Sequence, residues 1–125
     1  MVALADILTL PYEERAALYR AIGESLRPQV PSLEDRYQAV RLALESVTGH
    51  PLDLKSRTRE ATLERAVVAY QLLSEGFSTT KVGKVIGRNH ATVIHARHLI
   101  EDIFLYSRLY SYEFHLWINF KKALQ

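Results

Sequence analysis

The sequence predicts an all-α fold, and three observations carry that expectation. Apolar residues recur three and four positions apart in successive segments. Glycine or proline closes most of those segments, and no run alternates polar and apolar residues as a half-buried strand would. With 125 residues, 48% hydrophobic and 24% charged, the chain is long enough for one domain with a real core.

The first segment, residues 12–26, reads as an amphipathic helix. Ala17, Leu18, Ala21, Ile22 and Leu26 fall on one stripe, Pro11 suits the first turn, and Glu13 and Glu14 suit its positive end. RPQVP breaks the chain at 27–31. Ser32 and Asp35 then make a capping-box-like start for a helix over 33–48, with Leu33, Tyr37, Val40, Leu44 and Val47 at helical spacing before Gly49 and Pro51 end it. A basic connector, HPLDLKSRTRE, leads into a helix near 59–75 whose Leu63, Ala66, Val67, Tyr70 and Leu73 share one side. Ser78 is placed to cap a short helix containing Val82, Val85 and Ile86. Gly87-Arg88 turns the chain, and Asn89 caps the next helix.

In that helix, 100° per residue puts Val93, Ala96, Ile100, Ile103 and Phe104 on one face and Ala91, His95 and His98 on the other. Two helices joined by a short Gly-containing turn describe a helix-turn-helix, whose second helix can meet base edges. Charge follows the same stretch. Residues 55–100 hold eight cations (Lys55, Arg57, Arg59, Arg65, Lys81, Lys84, Arg88, Arg97) against Glu60, Glu64 and Glu75, so this part is +5 and the remainder −3. That is the footprint of a phosphate binder.

The tail, 104–125, concentrates the aromatics Phe104, Tyr106, Tyr110, Tyr112, Phe114, Trp117 and Phe120. Apolar almost all round, it is expected to pack on the N-terminal helices and complete the core. The alternative is a homodimer or protein-partner surface over 104–120. The domain organisation expected is an N-terminal helical extension, 1–31, and one unit over 32–125.

Other classes are excluded by what the sequence lacks. Without cysteine there is no disulfide framework, thiolate metal site or thiol nucleophile. His90, His95 and His98 lack companions for a tetrahedral metal set, and no catalytic constellation stands out, so neither an enzyme nor a cofactor is expected. The N-terminus lacks the basic region of a signal peptide and no apolar run reaches transmembrane length, so a cytoplasmic, nucleoid-associated protein without membrane contact is expected.

The string GRNHATVIHA, Gly87 to Ala96, resembles the signature of the C-terminal DNA-binding domain of the bacterial replication initiator DnaA. The resemblance is colinear from about residue 33: LEDRYQAVRLALESVTG for the leading helix, DLKSRTRE for the basic connector, LERAVVAYQLL for the Arg-introduced helix, and STTKVG for the Ser-x-x-x-Ile-Gly helix. It implies double-stranded DNA binding at a DnaA-box-like site, in replication or its regulation. On matched positions it implies that Arg65 enters the minor groove and that Asn89, His90, Ala91 and Thr92 meet bases in the major groove. Thr79, Thr80 and Lys81 would touch the backbone, and Arg57 and Arg59 belong to the basic connector. Arg88 from the turn and His95 on the exposed face complete the candidate set.

Read from the residues alone, Arg65 could instead pair with Glu60 or Glu64, Asn89 could be a cap as well as a reader, and Thr92 could bond locally. Two departures from the family pattern bear on the sequence read. Asn89 replaces the usual Asp, which accepts from cytosine, and Asn suits adenine instead. Ala91 replaces one of two threonines. No Gly-rich phosphate loop with Lys-Ser/Thr is present, so the ATPase module of true initiators is missing and a stand-alone module is expected. The competing function is a helical adaptor that docks on another protein, such as a host initiator, or self-associates through the aromatic tail.

Overall fold

The computed structural model describes residues 31–125. The helix expected over 12–26 lies outside the described residues. Within them the chain is all-helical: α1 Leu33–Thr48, α2 Arg59–Ser74, α3 Thr79–Ile86, α4 His90–Leu105 and α5 Ser111–Leu124. None of these helices is long and apolar enough to cross a membrane.

Local chemistry sets the starts of the first three. Ser32 Oγ accepts from the Asp35 amide, Thr58 Oγ1 from Ala61 and Ser78 Oγ from Lys81, each supplying one partner that a helix N-terminus lacks.

Helix α2 is the centre, packed on by α1, α3 and α4, while α5 lies mainly along α1. The sequence suggests one apolar side for α2. Instead ten of its sixteen residues are buried, because neighbours cover it on three sides. Val67, Val68, Ala69 and Leu72 are sealed from solvent. Its buried polar groups are all partnered. The Glu64 carboxylate lies 2.6 Å from the His50 ring, Gln71 bonds Glu75 and Lys121, and Arg65 bonds the connector. Burial of such groups is tolerable only with partners of this kind.

The aromatic tail divides. Tyr106 leaves helical geometry and its carbonyl accepts from Leu109 and Tyr110, so a turn separates α4 from α5. Beyond it, Phe120 and Leu116 are buried, and Trp117 stands edge-on to Tyr70 (5.4 Å) and Phe104 (5.3 Å). These rings join α2, α4 and α5, the core role expected of the tail. Leu105, Tyr106, Leu109 and Tyr112 remain exposed.

Two carboxylates fasten α1 to its neighbours, Glu45 to the connector and Glu75 to Arg36 from the end of α2, and both titrate below their ordinary range. The Leu52 amide bonds Glu45 and holds it down against the opposing pull of burial, with Arg41 assisting. For Glu75 burial pulls upward, but bonds from Arg36 and Gln71 and the charges of Arg36 and Lys121 outweigh it. A depressed native pKa means stability that is present above the unfolded value, about 4.3 for Glu, and lost as pH falls through the native value. The melting temperature is therefore expected to hold from about pH 7 to about pH 5 and drop below about pH 4. Glu75→Gln should lessen the drop in a calorimetric pH series, and an unchanged drop would remove Glu75 from the account.

Candidate nucleic-acid interface

The turn between α3 and α4 is built from two glycines. Gly87 adopts φ +70°, and the Arg88 amide reaches back to the Gly83 carbonyl at 2.8 Å, the left-handed closure that ends many helices. Gly83 is buried, and a Cβ there would lie 2.5 Å from the Arg88 carbonyl oxygen. The close approach of α3 to the turn therefore requires glycine.

Asn89 begins α4. Its Oδ1 accepts from the Thr92 amide (2.9 Å) and from the Thr92 hydroxyl (3.0 Å), whereas its Nδ2 makes no hydrogen bond among the described residues. The cap thus uses one end of the amide and leaves the other in solvent. Thr92 bonds locally through its hydroxyl, while the residue itself stays exposed. His90, Ala91 and His95 are exposed too, and Val93, Ile100 and Ile103 are buried, so α4 divides into the two faces its spacing predicts.

The basic connector is a shaped loop. Asp53 Oδ1 accepts from the amides of Lys55 (2.8 Å) and Ser56 (2.9 Å), and those two bonds hold its carboxyl below the ordinary range. Two arginines fasten this turn from below. Arg65 Nη1 donates to the carbonyls of Asp53 (3.0 Å) and Ser56 (2.6 Å), and Arg88 Nη2 donates to that of Leu54 (2.7 Å).

Arg65, the arginine that the resemblance places in a minor groove, lies beneath the connector. Its residue is 8% exposed, and its guanidinium is committed to the connector and to Thr62 Oγ1. Burial and the nearby Arg88 charge both make its protonated form costlier than usual, and neither Glu60 nor Glu64 pairs with it. Lys55, Arg57 and Arg59 are the connector's exposed cations, with only a 3.9 Å contact from Arg59 to Glu113.

Arg65, Arg88, Thr92 and His95 therefore come together, around a hollow of about 170 Å³ floored by Ala66, Ile86, Ala96 and Leu99. Arg88 Nε is buried without a hydrogen-bond partner among the described residues. Thr79 is not part of this group. It lies beside Arg97 and Glu101, further along α4, while Thr80 and Lys81 are exposed nearby in sequence. Lys84, one of the eight cations of the basic stretch, is exposed on the last turn of α3, one turn before the Gly87-Arg88 corner. The sequence gives no sign of Gly83's role, since its need for a missing side chain shows only in the packing.

Comparison with protein-family models, curated proteins and solved structures finds no match to this chain. The resemblance to the DnaA domain rests on the motifs alone.

Proposed function

We propose that this chain binds double-stranded DNA, with the first turns of α4 in the major groove and the connector against the backbone. The observation that carries this reading is the exposed start of α4. Asn89, His90, Ala91, Thr92 and His95 stand free of large aliphatic side chains, beside a clamped loop bearing Lys55, Arg57 and Arg59. Phosphate contacts from those cations, with Lys81 and Lys84, give affinity, and the edges of α4 give sequence preference. The DnaA-like motifs support a box-like target connected with replication or its control.

Asn89→Asp is the decisive variant because it preserves Oδ1 as the cap acceptor and changes only the exposed amide. Selection of bound duplexes from a randomised pool should return a different preferred base after this change, adenine giving way to cytosine. Lys81→Ala should instead weaken all duplexes alike and shallow the log–log salt slope by about 0.9. Binding that ignores salt, or an identical selected sequence from Asn89→Asp, overturns the assignment.

A further inference from the structure

The turn between α4 and α5 leaves Leu105 72% exposed, Tyr106 51%, Leu109 82% and Tyr112 69%, the largest exposed apolar side chains of the described residues apart from Leu42. The other tail aromatics pack inward, so these four are the part of 104–120 open to a partner. Asp102 precedes this segment by three residues and Arg108 sits within it. Both are exposed, and neither has an ion-pair partner among the described residues.

We infer that this turn is the interface of a two-fold homodimer, in which the apolar side chains of two copies meet and Asp102 of each copy pairs with Arg108 of the other. Three considerations favour a second copy. The segment has one acid just before its apolar run and one base within it, so it is complementary to itself under a two-fold axis, which turns one such pairing into two. A strongly acidic or basic partner would find one of these charges repulsive. The four side chains offer roughly 400 Å² of apolar surface, at about 150–250 Å² for a whole aromatic ring and less for leucine. Doubled, and widened by the polar rim, this reaches roughly 1,000–1,200 Å², the lower end for specific association. The dimer is therefore weak in free solution.

The third consideration rests on the DNA-binding reading. Helix α4 has sixteen residues, or about 24 Å. Two such arms joined at their C-terminal ends can hold their tips up to about 48 Å apart, a reach that includes one turn of B-DNA, about 34 Å, the half-site spacing of dimeric helix-turn-helix proteins. A duplex with two sites so spaced would strengthen the pairing by holding both copies together.

The experiment is sedimentation of the full chain without DNA, from about 1 μM to about 1 mM. The mass should climb from 14.3 kDa toward twice that value. Leu109→Asp, at a site exposed enough to leave folding intact (checked by circular dichroism), should stay monomeric throughout. Asp102→Arg and Arg108→Asp should each weaken association at least tenfold, and the two together should restore it. A wild-type chain that remains monomeric, a Leu109→Asp chain that associates as the wild type does, or a failure of the paired reversal overturns the interface. No DNA is present, so a monomer that still binds DNA sinks this inference alone, and a dimer that binds none sinks only the DNA-binding proposal.

Discussion

Gly83→Ala is expected to destabilise the domain by about 2–3 kcal/mol, the upper part of the range for forced overpacking. Its methyl would meet the Arg88 carbonyl oxygen at 2.5 Å, a backbone atom that cannot rotate away. Relief requires α3 and the turn to separate, which lengthens the bond from the Arg88 amide to the Gly83 carbonyl and shifts Asn89 with it. On the DNA-binding proposal, stability and affinity for duplex should therefore fall together, even at temperatures where the protein remains folded. Denaturant titration gives the first quantity and fluorescence anisotropy with duplex the second. A neighbouring position provides the control: Lys84→Ala, on an exposed site of the same helix, should leave stability within about 0.5 kcal/mol. A Gly83→Ala domain as stable as the wild type would show that the turn is looser than the packing implies.

Arg65→Ala is expected to cost about 2–3 kcal/mol, because charge-assisted bonds to two connector carbonyls disappear and buried stem contacts go with them. The consequence beyond stability is local. With Arg65 gone, Arg88 alone holds the loop, through Leu54, and the amides of Lys55 and Ser56 should exchange hydrogen faster while those of α2 stay protected. On the DNA-binding proposal, affinity for all duplexes should drop several-fold with little change in the base preferred, since Arg65 holds the loop that carries the cations. Arg65→Lys should rescue poorly, having one compact ammonium in place of a planar fork that reaches two carbonyls. A change in base preference on losing Arg65 would return it to the groove.

Much of the helical order was legible because its signals are local. Ser32, Ser78 and Asn89 each announce a helix start by chemistry that acts over three residues, and Gly49 and Gly87 mark two of the helix ends equally locally. The two faces of α4 followed from periodicity in the same way. What escaped the sequence depends on distant partners. Helix α2 looks one-sided until three neighbours cover it, and Arg65 looks like a free cation until a loop nine to twelve residues earlier folds over it. The break at Tyr106 carries no glycine or proline, so the apolar run 104–125 gave no sign that it divides into a core helix and an exposed corner.

Arg88 belongs to two structures at once. Its backbone closes the corner between α3 and α4, and its side chain grips the Leu54 carbonyl 34 residues earlier in the chain. The loop and the start of α4 are thus preorganised as one unit before any ligand arrives, and little conformational entropy remains to be lost on docking. Recognition by such a unit has the thermodynamics of a rigid body, with a small heat-capacity change, in place of the large one that accompanies a segment folding as it binds.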